Sequence, residues 1–564
     1  MGARITVAEA IGRTVAELGA AHIFGVVGSG NFHATNAAIG AGVPFTAARH
    51  EMGAATMADA FSRATGRVSI VSLHQGCGLT NALTGITEAA KCHTAILVLT
   101  GDTASGDTTS NFHIDQDAAV LAIGATPTRI GSAATAIADT ADAFRLALHE
   151  RRTVVLSMPV DIQDELIEWD AAGIPPLAPR LPREADADAI TRLVELLSGA
   201  ERPVIVGGRG AWGAKAELRR LAAASGALLT TSAAGRGLFV GDEWALDIMG
   251  GFATEGAAQL IADADVIVGF GVAFNHWTTR SGALLDGATV AQVDDREEAI
   301  GLHRPVDLAV LGDAALVAAA VTAELEELEA LEARGPRTRY RRPDIHGRVQ
   351  AARYWKDQPF EPHVEPGRVD AQALVNALDD LLPLERIVVP DGGNVNCYAG
   401  AHLRVPDEQG YCIPLSFQAI GMGLAAGIGA AVAQPHRLAV VGTGDGAFMM
   451  TLVELDTAVR LGLGMVVIVF NDEAYGAEVN LFQGDTAQLD TVRFPETDVA
   501  AIARGFGCEA ATVRGLDDLA QVAGWLDGPR DRPLVIDAKI VRYPSWMMLR
   551  NPAIREGAES PALA

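Results

Sequence analysis

No stretch of this sequence approaches the ~20 consecutive apolar residues that a membrane-spanning helix requires. The nearest, "IGMGLAAGIGAAVA" at 420–433, is short and glycine-rich and reads as a buried helix. Basic residues are scarce, 44 Lys and Arg against 70 Asp and Glu, which leaves a net charge of −26. So acidic a surface repels nucleic acid and anionic membranes, and neither is expected as a partner. A local pocket can still be basic, so a small anionic substrate stays open. The five cysteines, Cys77, Cys92, Cys397, Cys412 and Cys508, are scattered without a C-x-x-C pair. A disulfide framework or zinc site is therefore not expected, and a reducing, cytoplasmic setting fits. The opening "MGARITVAEAIGRTVAELGA" carries Glu9 and Glu17 on an amphipathic helical pattern and lacks the apolar core of a secretory leader. Around the glycine-rich stretch at 442–476, neither the dinucleotide pattern G-x-G-x-x-G nor the P-loop occurs.

What is present is an alternation of apolar strand-like runs with helical patterns. "HIFGVV" (22–27), "VSIVSL" (68–73), "AILVLT" (95–100) and "TVVLSMP" (153–159) are examples. This predicts an α/β fold of parallel sheets with crossover helices. A chain of 564 residues exceeds one hydrophobic core. Two segments read as linkers: the Pro-rich, then acidic, 171–189, and the charged, aperiodic 332–370. They leave blocks at 1–170, 186–332 and 366–545, with a small, polar tail at 546–564.

The stretch "HRLAVVGTGDGAFMMTLVELDTAVRLGLGMVVIVFNDEAYG" reads as strand, loop, helix and next parallel strand. Asp445 and Asn471 then lie at the carboxyl ends of adjacent strands, where open parallel sheets bind ligands. Glycines let a backbone approach phosphate closely, and the following helix aims its N-terminus at it. A carboxylate and an amide oxygen suit Mg²⁺ better than zinc or copper, with phosphate and water completing the octahedron. Asp472 and Glu473 can also be read as plain loop charges.

The G-D-G, helix, strand, N-[DN] arrangement resembles the cofactor signature of thiamine-diphosphate-dependent enzymes. The resemblance implies Mg²⁺ held by the Asp445 and Asn471 side chains and by the main-chain oxygen of Glu473. It implies cofactor contacts from Gly444, Gly446 and Ala447, and from Ala474 and Tyr475 beyond Asn471. Thiamine also needs a carboxylic acid, kept protonated by apolar surroundings, to make the pyrimidine amino group a base. "RHEMGAATMADAFSRATGR" (49–67) resembles the family segment that supplies this acid, which implies Glu51 in that role. "GCGLTN" (76–81) resembles a further family turn and implies contacts from Gly76 and Asn81. "DGGNVN" (391–396) resembles a second diphosphate loop and implies Gly393, Asn394 and Val395. "SFQAIGMGLAAGIGA" (416–430) resembles the segment that bends the cofactor, with Ile420 as the wedge and Met422 as its neighbour. The blocks then correspond to three doubly wound domains: pyrimidine-binding, middle and diphosphate-binding. Active sites between subunits of a homodimer or homotetramer are implied.

Within the family the pattern resembles the acetolactate synthase group. "SNFHIDQDAAVLAIGATPTR" (110–129) aligns with a segment that places Gln116 in the active site. Asn480 stands where that group carries a Trp, and Val27, Gly28, Ser29 and Gly30 replace its usual first loop. Asn31, His33, His74 and Gln116 suggest an oxygen-rich carbonyl substrate, as in the cyclohexane-1,2-dione hydrolase branch. Asn31, His74 and Gln116 join Glu51 as candidate catalytic residues, with His74 as a proton shuttle or a mere core histidine. His113 reads as a surface residue. "GGRGA" (207–211) and "VDD" (293–295) are compatible with FAD, but Ala273 and Trp277 stand where the group has arginines, and FAD stays open. The expected reaction is cleavage or formation of a C–C bond beside a carbonyl, on a 2-oxo acid such as pyruvate or on a 1,2-dione. The alternatives are a simple 2-oxo acid decarboxylase and a non-catalytic cofactor-binding paralogue. Intact Glu51, Asp445 and Asn471 argue against the last.

Overall fold

The computed structural model of the chain describes residues 3–331, 338–482 and 488–550. The expectations that fall on 332–337, in the second linker, and on 551–564, in the tail, lie outside the described residues.

The apolar runs form three parallel sheets. The first has the order Phe45–Ala47, Ile23–Gly25, Ser69–Leu73, Ile96–Asp102, Thr153–Pro159, Thr126–Arg129. The second runs Ala245–Ile248, Leu228–Thr231, Pro203–Gly207, Val266–Phe270, Thr289–Asp294, Leu308–Leu311. The third runs Arg386–Pro390, Leu438–Gly444, Met465–Asn471, Leu534–Lys539, Glu509–Val513. Their central strands are buried along their whole length, as sheets covered by helices on both faces require. Among the described residues no helix is long and apolar enough to cross a membrane.

Local chemistry shifts several boundaries. The helix expected from the first residues begins at Val7, because Thr6 and Glu9 form a reciprocal capping box at 3.1 and 3.2 Å. Ala3–Thr6 instead pairs antiparallel with Leu166–Trp169. The helix expected after Asp445 is two, Asp445–Thr451 and Glu454–Arg460, with Asp445 the first helical residue rather than part of a loop. Part of the second linker is a helix, Pro343–Ala352, whose Ile345 and Val349 pack with Tyr340 against the middle sheet. Its charged residues hide the narrow apolar stripe. The third block's core continues past 545: Trp546 stacks on Trp355 at 3.8 Å, and Met547 is buried with it.

The first and third blocks share one core. The helix Glu51–Thr65 is buried from Gly53 to Ser62 and lies against the helix Gly423–Ala433. The contact is backbone to backbone: a Cβ on Gly429 would stand 2.2 Å from the carbonyl oxygen of Met57.

Candidate active site

Two bare oxygens mark the third sheet. The strands Leu438–Gly444 and Met465–Asn471 run parallel in register, Gly444 opposite Phe470, so Asp445 and Asn471 leave the sheet side by side. Both side chains are buried, and among the described residues Asp445 Oδ1 and Asn471 Oδ1 have no hydrogen-bond partner. Asn471 Nδ2 donates to Asp537 Oδ1 at 2.9 Å, which fixes the amide with its oxygen free. Burying polar oxygens without partners is costly, so the pair is built for something that supplies positive charge. Asp472 faces Asp445. Burial, followed by their mutual repulsion, holds the Asp472 carboxyl well above the usual range, and burial raises Asp445 as well. A cation would relieve that repulsion.

Glu473 sits in the left-handed region at φ 59°, and its carboxylate is turned away. Arg368 Nη2 donates to Glu473 Oε1 at 2.7 Å and Arg542 Nη2 donates to Oε2. Burial opposes the charge, but the two guanidinium groups outweigh it and hold the carboxyl below its usual range. The side chain is thus engaged, and the main-chain oxygen accepts from Phe494 N at 2.8 Å, which leaves it one lone pair to offer as a ligand. Among the described residues no cluster of three or more His, Cys, Asp or Glu is placed to hold a metal. The donor set here is one carboxylate, one amide and one carbonyl, hard oxygens that fit Mg²⁺ with a diphosphate completing the shell.

The neighbouring loops converge on the same edge. Gly393 has φ 105°, Val395 is buried against Gly444, and Asn394 Oδ1 accepts from Ser545 N at 3.0 Å. The Tyr475 ring covers Gly446, a Cβ there lying 2.6 Å from Tyr475 Cε1. Ala447 and Met422 are buried, Ala474 is half-buried, and half-buried Ile420 lies over Gly392. Asp391, which sequence reasoning passed over, ties these loops together. Its Oδ1 accepts from Gly392 N at 2.8 Å and Gly421 N at 3.0 Å, and its Oδ2 accepts from Thr443 Oγ1 at 2.9 Å.

On the first sheet, Glu51 is the first residue of its helix and is half-buried within the single chain. Asn81 Nδ2 donates to Glu51 Oε2 at 3.0 Å, so the structure brings these two predicted residues together. A second carboxylate missed from sequence holds the approach to Glu51. Glu454, fully buried, accepts from Arg49 N at 3.1 Å and from His50 N at 2.9 Å. Nothing local could have revealed it, since its partners lie some 400 residues away in sequence.

Gln116, Asn31 and His33 take positions different from those expected. Gln116 is buried with its amide fully engaged: Oε1 accepts from Gly76 N at 3.0 Å, and Nε2 donates to Gly101 O and Ser157 Oγ. It sets the Gly76 turn, where φ is 61°, rather than lining a pocket. Asn31 is likewise enclosed, accepting from Gly28 N at 2.8 Å and donating to Ser72 Oγ at 2.8 Å, and so braces the 26–31 loop. His33 is exposed beside Phe32, and His113 is exposed near Thr103. His74, half-buried at the end of its strand, packs edge-on against Phe112 at 4.9 Å. Burial lowers its pKa, and Glu51 partly restores it.

In the middle block the features compatible with a dinucleotide are engaged within the protein. A Cβ on Gly208 would stand 2.0 Å from Gly271 O, so the glycine turn is occupied by the facing loop. Asp295 pairs with Arg151 and, at 2.9 Å, with Arg180. A cavity of about 500 Å³ opens between Arg202, Asp286, Tyr340 and Arg348, and none of the predicted site residues lines it.

Three family models match along the chain. The chain matches "Thiamine pyrophosphate enzyme, N-terminal TPP binding domain" at 5–121, the central domain at 190–321 and the C-terminal TPP binding domain at 391–538. It is 28% identical to a sulfoacetaldehyde acetyltransferase of Castellaniella defragrans, covering 91% of this chain and 89% of that protein. It is 27% identical to a pyruvate oxidase of Lactiplantibacillus plantarum (93% and 86% covered). It is also 27% identical to an acetolactate synthase large subunit of Parasynechococcus marenigrum (88% and 80% covered).

Proposed function

The chain belongs to the thiamine-diphosphate-dependent enzymes, in their acetolactate synthase-like group, and from that premise we propose that it makes or breaks a C–C bond beside the carbonyl of a 2-oxo acid or 1,2-dione. The observation that carries the proposal is the pair of buried, partnerless oxygens of Asp445 and Asn471 at neighbouring strand ends. Together with the Glu473 main-chain oxygen they would hold Mg²⁺ and, through it, the diphosphate, while Gly393, Asn394, Gly446 and Ala447 would shape the loop around it. Thiamine diphosphate, when bound, supplies a carbon nucleophile and an electron sink. Glu51, oriented by Asn81, holds a proton at the pyrimidine ring and so makes the adjoining amino group a base. Ile420 would pack against the cofactor's rings. Gln116 and Asn31 act one step back, by fixing the Gly76 turn and the 26–31 loop that wall the substrate space. The names of the relatives, which span an acetyltransferase, an oxidase and a synthase, support a carbonyl substrate and leave its identity open. FAD is not part of this proposal, because the glycine turn and Asp295 are occupied by the protein itself.

The test is incubation of protein loaded with thiamine diphosphate and Mg²⁺ with pyruvate, and separately with a panel of cyclic and linear diones, products being read by mass spectrometry. Glu51→Gln is expected to abolish turnover, by at least the ~10²–10⁴-fold of a lost proton-transfer group, while calorimetry still registers cofactor binding. Full activity in that variant refutes the assignment.

A further inference from the structure

At the first sheet's edge two neighbouring side chains keep an atom that no hydrogen bond engages among the described residues: Gln75 Oε1, which is sealed in the interior, and His74 Nε2, which is not. His74 follows the strand Ser69–Leu73 on the same edge as Glu51, and the loop before Asn31 is moulded around its ring. Gly30 N lies 3.2 Å from His74 Nδ1. The fit leaves no room for side chains: a Cβ on Gly28 would be 2.9 Å from His74 Cγ, and one on Gly30 would be 1.6 Å from Gln75 Oε1 and 3.1 Å from His74 Nδ1. Asn31 locks that loop, and Phe112 flanks the ring at an interplanar angle of 74°. Among the described residues His74 Nε2 makes no hydrogen bond and is not sealed in the interior.

A backbone amide can only donate. Nδ1 must therefore present its lone pair to Gly30, and the proton of the neutral ring must sit on Nε2. Burial favours the neutral ring, and Glu51 is the one charged neighbour that acts against this. A ring in this state cannot accept a proton at Nε2, which already has one. Nor can it give that proton away outright, because the Gly30 amide cannot replace it and an imidazolate would remain. It can offer an N–H to an oxygen that is gaining negative charge, as preorganised donors do. A neutral imidazole used as such a donor is a known catalytic device.

We propose that His74 serves the reaction as a fixed Nε2–H donor to the substrate's carbonyl oxygen, and that it does not take up or release a proton during turnover. The proposal rests on the carbonyl chemistry argued above. When the carbonyl carbon is attacked, the π electron pair moves onto oxygen, and the Nε2–H bond stabilises that charge without breaking. The pH dependence of turnover then comes from groups other than His74.

Three variants and one spectrum test this. Gln at position 74 places an amide N–H near the former Nε2 and cannot titrate, whereas Ala removes the donor. H74Q is expected to lower kcat/KM roughly tenfold and H74A by about 10²–10³-fold, the usual loss of one such donor, with the wild-type pH profile retained in H74Q. Calorimetry should show unchanged cofactor binding in both. The wild-type ¹⁵N-histidine spectrum of the cofactor-free protein should show one ring signal, absent in H74Q, that is protonated at Nε2 between pH 6 and 8. G28A should disturb that signal by crowding the ring, because the three atoms nearest to a Cβ there all belong to His74. A limb of the wild-type profile that vanishes in H74Q, with H74Q as slow as H74A, overturns the proposal, as does a proton on Nδ1. If the wild type turns over no 2-oxo acid or dione, the functional reading fails, and the nitrogen spectrum still decides the state of His74.

Discussion

At the scale of single residues, the site is built from groups that the rest of the protein declines to satisfy. Asp445, buried, and Asp472, half-buried, are carboxyls in mutual contact, and among the described residues Asp445 Oδ1 has no donor. Such a pair costs stability until a cation arrives. Asp445→Ala is therefore expected to leave the unliganded fold as stable as before, or more so by up to about 1–2 kcal/mol, a common outcome when a functional residue is removed. The same variant should lose diphosphate binding. Calorimetry with and without EDTA checks this: chelation should abolish binding to the wild type and change nothing in Asp445→Ala. Undiminished, EDTA-sensitive binding in the variant would exclude Asp445 as a ligand. Asp445 and Asn471 were legible in sequence because each ends an apolar run. Gln116 and Asn31 were legible as polar residues near the site but not as bracing, since their partners, Gly101, Ser157 and Ser72, come from other strands.

At the scale of elements, the site depends on how closely two helices approach. Glu51–Thr65 and Gly423–Ala433 touch through their backbones at Gly429 and Met57, and Glu454 grips the turn that precedes Glu51. Gly429→Ala must push the helices apart, because the obstacle is a carbonyl rather than a flexible side chain. Overpacking of this kind costs about 1–3 kcal/mol. Urea unfolding should show a lower midpoint at unchanged slope, together with reduced kcat from displacement of Glu51. Gly40→Ala, where a Cβ meets nothing within 4 Å, is the matched control and should be neutral or slightly stabilising. Equal stability of the two variants would show that the helices yield freely. The strands were legible because full burial makes them continuous apolar runs. The helix Pro343–Ala352 was not, because only a narrow stripe of it is apolar, and the break between Thr451 and Glu454 was not, because the helical pattern of apolar residues continues across it.

At the scale of the whole molecule, we expect the single chain to hold two half-sites, the Glu51 edge of the first sheet and the Asp445 edge of the third. Glu51 stands half-exposed on the first sheet's edge, and the helix after Asp445 presents Met449 and Met450, 44% and 50% exposed, with Val453 beside them at 41%. Phe417, just before the Ile420 wedge, is 41% exposed. Exposed apolar side chains gathered beside a catalytic edge call for a cover. Two copies related by a two-fold axis can bring each copy's Glu51 edge to the other's Asp445 edge and bury these side chains in the same step. Sedimentation is therefore expected to give at least twice the chain mass of 58.8 kDa. Activity per chain should fall on dilution as the copies separate, and cofactor should shift the midpoint to lower protein concentration, since it binds the assembled form. Met450→Lys should weaken association while leaving the circular dichroism of the chain intact, and saturating cofactor should partly rescue it. A chain that sediments as a monomer while fully active would mean that Glu51 and Asp445 serve one site within one copy.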